Sequence, residues 1–168
     1  MLAACNWDDE PRRMALDLAP HGVAGPLVVY DVWRDARAPD VDGRWTGTVP
    51  ARSATVVSLR RRPRAPCVAG TTRHVVQGVV DVEDERWDAR RRVLAVRSVR
   101  LDDRPYAVTL ALPTGFVARS CRGDAECRLE AAGTGAQGQR GTVTTGPRSV
   151  RVVFPAPAGR DIAWEVAF

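Results

Sequence analysis

Apolar and polar residues alternate over short runs bounded by Gly, Pro and Asp, and no long stretch carries the helical period of about 3.6 residues. The clearest run closes the sequence. There Ile162, Trp164, Val166 and Phe168 share one face and Ala163, Glu165 and Ala167 the other, as in a half-buried antiparallel strand. Tyr106, Val108, Leu110 and Leu112 alternate the same way. In the first third, strands are expected at Leu2–Trp7, Arg13–Leu18, Leu27–Trp33, Arg44–Val49 and Ser53–Arg60. Turns are expected at Asp8–Pro11, His21–Pro26 and Asp40–Gly43, with room for one helical turn within Leu16–Gly22. Further on, strands are expected at His74–Val82, Arg92–Leu101, Tyr106–Leu112, Phe116–Cys121, Cys127–Ala131, Gly141–Thr145, Val150–Phe154 and Asp161–Phe168. Between the two sets, Arg60–Pro66 holds four arginines and two prolines, a composition suited to a linker rather than a core strand. The pattern predicts an all-β protein of two antiparallel β-sandwich modules (Greek-key or Ig-like) in tandem, residues 1–62 and 63–168.

Composition agrees with a globular chain. The 168 residues are 45% hydrophobic and 27% charged, enough for a packed core. No apolar run approaches the ~20 residues of a membrane-spanning helix, and no membrane partner is expected. Met1–Asp9 lacks a basic region followed by an apolar one, so no signal peptide is expected; a cytoplasmic chain and export as part of a larger one both stay open. The net charge of +5 comes entirely from arginine on the basic side, with no lysine. Arg60-Arg61-Arg62-Pro63-Arg64 and Arg90-Arg91-Arg92 read as a solvated linker and turn, because Asp81, Glu83, Asp84 and Glu85 break any one-signed stripe. No aromatics are interleaved for base stacking, so no nucleic-acid partner is expected.

The inventory of reactive groups is thin. His21 and His74 are the only histidines, and neither stands at zinc-ligand spacing to a cysteine pair. No Gly-x-Ser-x-Gly elbow, His-Glu-x-x-His, phosphate loop or dinucleotide fingerprint is present, so no catalytic residue, metal or cofactor is assigned. Cys121 and Cys127 flank a turn-like stretch, Arg122–Glu126, and are placed to bridge across a hairpin in an oxidising compartment. Cys5 and Cys67 read as buried small hydrophobes. Among the tryptophans, Trp164 reads as core, Trp7 and Trp33 as core or interface, and Trp45 and Trp87, beside turns, as the candidates for stacking on sugar rings. Arg73, His74 and Gln77, just after the linker, are placed near a module interface.

The order of several short motifs resembles the C-terminal β-region of bacterial α-galactosidase (melibiase)-like glycoside hydrolases. Cys5-Asn6-Trp7 looks like the strand and turn that follow the catalytic barrel in that family. Leu16-Asp17-Leu18, Gly22 and Val29-Tyr30-Asp31-Val32-Trp33 follow in matching order. Val49-Pro50-Ala51-Arg52-Ser53, with Arg52 in place of the usual histidine, then leads into Val56-Val57-Ser58-Leu59-Arg60. Gly70-Thr71-Thr72-Arg73-His74-Val75-Val76-Gln77-Gly78 and the ending around Trp164-Glu165-Val166 are similar to a further β module of bacterial relatives. The resemblance implies a non-catalytic β-region that packs on and stabilises a glycosidase barrel, its partner. Residues 1–62 correspond to the domain that follows the barrel. The family's two catalytic aspartates lie on the barrel, which takes ~250 residues of βα alternation and has no counterpart here. The alternatives are a carbohydrate-binding module and, after it, a polyanion or nucleic-acid binder through Arg60–Arg64.

Overall fold

The computed structural model describes residues 1–73, 81–99, 104–132, 149–155 and 161–168, and these are built almost entirely of antiparallel strands. In the first half the strands are β1 (Leu2–Asn6), β2 (Arg12–Asp17), β3 (Pro26–Asp31), β4 (Ala36–Asp42), β5 (Arg44–Val49) and β6 (Ser53–Arg61). A single 3-10 turn, Ala19–His21, follows β2. In the second half they are β7 (Cys67–Thr71), β8 (Val82–Asp88), β9 (Val93–Val99), β10 (Tyr106–Ala111), β11 (Ser120–Gly123), β12 (Arg128–Ala131), β13 (Ser149–Phe154) and β14 (Asp161–Ala167).

Each half is a sandwich. The first stacks a four-stranded sheet, β1-β6-β3-β4, on the pair β2-β5. Its core joins Leu2, Leu27, Val29 and Val57 of the larger sheet to Trp45 and Val49 of the smaller. The second stacks β12-β13-β10-β7 on β11-β14-β9-β8. Val108, Leu110, Val152 and Phe154 there meet Leu94, Val96, Ile162, Trp164 and Val166. The closing strand behaves as its alternation predicts, with Ile162, Trp164, Val166 and Phe168 all buried.

A buried polar strut runs through the second core. Tyr106 donates toward the Asp81 carboxylate at 3.2 Å, Thr71 donates to the same oxygen at 2.5 Å, and the Trp164 indole N–H donates to Ser98 Oγ at 3.0 Å. Each buried polar tip therefore has a named partner, which offsets its desolvation.

Several expectations are corrected. Asp40–Asp42 belongs to β4, and the turn proper is Gly43 at φ +66°. β4 was missed because Ala-Arg-Ala-Pro-Asp carries no apolar alternation; its buried Arg37 is held by Asp40 at 2.6 Å. β6 continues through Arg61, so the connection shrinks to residues 62–66. β7 was not among the expected strands. The expected strand at His74–Val82 lies outside the described residues except for Asp81 and Val82, and Val82 instead opens β8. Phe116 sits in a turn closed by its N–H on the Pro113 carbonyl at 3.2 Å, and pairing begins only at Ser120. The expected strand Gly141–Thr145 lies outside the described residues.

β10 is buried along its whole length rather than on one face. Its second face explains this. Ala111 packs with Cys67 and Ala69 against Val28 and Tyr30 of β3, so the outer face of the second sandwich is covered by the first.

Candidate docking surface

The outer face of the sheet β1-β6-β3-β4 has two fates. At the β3 side, Tyr30 lies across Gly70, where a Cβ would stand 2.3 Å from the ring. Glycine is required there by this close approach. Asp35, held at φ +50°, accepts a short hydrogen bond from the Tyr30 hydroxyl and an ion pair from Arg151 at 2.6 Å. Burial, reinforced by Asp35, keeps the Tyr30 phenol protonated far above its usual range. Arg60 reaches both the Val68 carbonyl at 2.7 Å and Glu85 at 2.6 Å, so it is a joint residue rather than part of a solvated linker.

At the β1 side the same face is open. β1 alternates strictly: Leu2, Ala4 and Asn6 face the core, while Ala3, Cys5 and Trp7 face outward. Ala3 and Cys5 stand opposite Val56 and Ala54 of β6, extending an apolar strip across two strands. Trp7 is 80% exposed and Trp33 59%. They bracket the start of β6: Asn6 pairs with Ser53 on one side, and the Val32 N–H reaches the Val56 carbonyl at 3.0 Å on the other. β1 is also the last strand of its sheet, and Met1–Trp7 contains no charged residue. Edge strands that face water are normally guarded by charge, proline or a bulge. This one has none of these guards.

Asn6 fixes that edge. Its buried amide donates to the carbonyls of Glu10, Val49 and Pro50 at 2.8, 3.1 and 3.0 Å, and its Oδ1 accepts the Asp8 N–H at 3.1 Å. The side chain thus ties β1, the following turn and the end of β5, and aims Trp7 outward. Sequence reasoning noted Asn6 only as part of a motif. Its core-facing place in the period-two pattern was the available signal.

A groove of about 450 Å³ runs past Trp33, lined also by Asp31, Arg34, Pro50, Ser53, Ala54 and Thr55. Asp31 accepts the Arg34 N–H at 3.0 Å and pairs with its guanidinium at 3.5 Å. The groove therefore combines an indole wall with a paired carboxylate and guanidinium.

Of the two sugar-stacking candidates, Trp45 is turned into the core and Trp87 is half-buried. Trp45 is only 5% exposed; it faces the first core and folds over Gly47, where a Cβ would meet its ring at 2.5 Å. The alternation Trp45-Gly47-Val49 already put it on the inner face. Trp87 packs edge-on to Phe116 and Phe168 at 5.4 and 5.7 Å, at the rim of the second core. Arg73 lies over the Tyr106 ring at 5.3 Å within the second sandwich. His74 and Gln77 lie outside the described residues.

Cys67 is buried as expected, and burial pushes its thiol up to about 11 against the opposing pull of Arg60. Cys5, expected inside, is exposed on the open face. Cys121 and Cys127 are both free thiols and half-buried. They do not flank a hairpin, since β11 and β12 belong to opposite sheets.

The acidic residues do not assemble a reactive pair among the described positions. Asp81 is committed to Thr71 and Tyr106, Glu85 to Arg60, and Glu165 to Arg122. Among the described residues no group of His, Cys, Asp or Glu has metal-binding geometry, and no helix is long and apolar enough to cross a membrane. The chain matches no protein-family model and no curated protein.

Proposed function

We propose that this chain is a non-catalytic β-region of an α-galactosidase-like glycoside hydrolase that packs on and stabilises the catalytic barrel. The observation that carries the docking is the open apolar face of β1 and β6, with Trp7 exposed at the end of β1 and Trp33 exposed in the turn after β3. Together the two indoles present on the order of 300 Å² to water. At roughly 25 cal/mol per Å², covering them supplies about 7 kcal/mol before the costs of association. An exposed apolar surface on an edge strand without charged residues fits an interaction site. The choice of a glycosidase barrel as occupant rests on the motif order that resembles the region following that barrel, in which Trp7 and Trp33 both fall.

The test is the native mass of the species that carries this chain in its source, with hydrolysis of an aryl α-galactoside followed across the same fractions. A species well above 18.3 kDa whose activity co-elutes with the chain is expected. A free 18.3-kDa chain, or a heavier species without glycosidase activity, overturns the reading.

The groove beside Trp33 favours a second reading, a carbohydrate-binding module. A pyranose C–H face stacks on an indole, while Asp31 and Arg34 offer an acceptor and donors for hydroxyls. It predicts galactoside binding by calorimetry that Trp33→Ala abolishes and Trp87→Ala leaves intact. Flat traces across a broad glycan panel reject it.

A further inference from the structure

Backbone polar groups of successive residues in a strand point alternately to its two sides. In β6, Val56 and Arg62 turn toward β3: the Val56 carbonyl accepts the Val32 N–H at 3.0 Å, and the Arg62 N–H reaches the Pro26 carbonyl at 2.9 Å. Val57, Thr55 and Ser53 therefore turn toward β1, and their partners Leu2, Ala4 and Asn6 carry that ladder. The N–H and C=O groups of Ala3 and Cys5 point out of the sheet edge, where no described strand pairs with them. The other described sheet ends are guarded. β4 carries Pro39 and Asp40, β8 Glu83 and Asp84, β11 Arg122 and β12 Arg128, and both strands of the β2-β5 pair carry arginine. At β7, Arg60 and Glu85 take the Val68 carbonyl and N–H.

We propose that β1 pairs with β1 of a second copy of this chain, antiparallel about a two-fold axis at Ala4, so that two four-stranded sheets continue into one. The free groups set this register. In an antiparallel pair, opposite residues exchange both of their hydrogen bonds at alternate positions. An axis at Ala4 puts Ala3 opposite Cys5 of the second copy and Cys5 opposite its Ala3, which satisfies the outward groups of both residues in both chains. Leu2–Asn6 is then matched over its whole length. The facing side chains are Ala and Cys on the outward side and Ala4 on Ala4 at the axis, small enough for the backbones to reach the ~4.8 Å spacing of a sheet. Met1–Trp7 carries no charged side chain, so the two copies meet without like-charge repulsion. The pairing extends the sheet in its own plane. It leaves the outward face beside Trp7 open and does not depend on what covers that face.

The experiment uses the full chain with Cys5→Ser under reducing conditions, so that no thiol at the edge links two copies. A strand pair is a small interface, and a Kd of about 10–100 μM is expected. At about 0.5 mM, well above that Kd, sedimentation equilibrium should give twice 18.3 kDa, falling to 18.3 kDa on dilution. Ala3→Pro removes an outward N–H and leaves the β6 ladder intact, so the variant should keep its melting temperature and stay at 18.3 kDa. Ala3→Lys, which adds an outward charge and no backbone constraint, should do the same. Ala4→Cys should give a disulfide-linked dimer on mild oxidation, which the chain retaining Ala4 does not. A mass of 18.3 kDa at every concentration overturns the proposal. So does a folded Ala3→Pro or Ala3→Lys chain that still doubles its mass, or a dimer that Ala4→Cys fails to cross-link.

Discussion

Gly70 and Tyr30 show how much of the joint between the sandwiches depends on single side chains. A methyl at residue 70 would enter the Tyr30 ring, and the ring has no free direction to yield because it is buried and tied to Asp35. Gly70→Ala is expected to lower the unfolding free energy by about 1–3 kcal/mol in a denaturant titration. The protein has only two tyrosines, Tyr30 and Tyr106, and burial is the main force raising both phenols well above their ordinary value of 10.0. A folded-state pKa that is raised leaves its stabilisation whole below the unfolded value. That stabilisation is lost progressively as pH climbs from about 10, because only the unfolded chain then sheds the proton. Phenolate absorbance should accordingly stay absent until the chain unfolds in alkali, then appear for both residues together. A separate phenolate step in the folded protein would contradict the buried joint.

At the scale of elements, Asn6 is the most exacting position in β1. Asn6→Ala leaves the buried Val49 carbonyl without its donor and should cost about 2 kcal/mol, measured by denaturant unfolding. β14 was legible in the sequence because strict alternation reports a strand with one face on a core. β8 was not, since its run is dominated by charged residues whose placement depends on partners far along the chain, such as Glu85 on Arg60, and β4 was not, since its run carries no apolar alternation. The exchange of roles among the tryptophans has a similar cause. Proximity to a turn says nothing about which way a ring points, whereas the period-two register of β1 and β5 sends Trp7 out and Trp45 in. The full burial of β10 was hidden because its second face is covered by β3, a contact between modules that no local pattern carries.

At the scale of the whole molecule, the first sandwich uses one side of its larger sheet twice, half against the second sandwich and half open beside Trp7. Trp7, 80% exposed, owes little to the fold. Trp7→Ala should shift the unfolding free energy of the isolated chain by less than about 0.5 kcal/mol while weakening its assembly with the proposed partner. A large loss of stability on that substitution would place the ring in the fold instead. The basic clusters give no comparable surface, because Arg60 pairs with Glu85, Arg62 lies 3.5 Å from Asp40, and Arg92 sits over Phe116. The most direct measurement is oxidative footprinting of the five tryptophans, on the isolated chain and on the native species from its source. Trp7 and Trp33 should react readily in the isolated chain and be protected in the native species, while Trp45 and Trp164 stay protected in both. Equal reactivity of Trp7 and Trp33 in the two states would contradict a covered docking face.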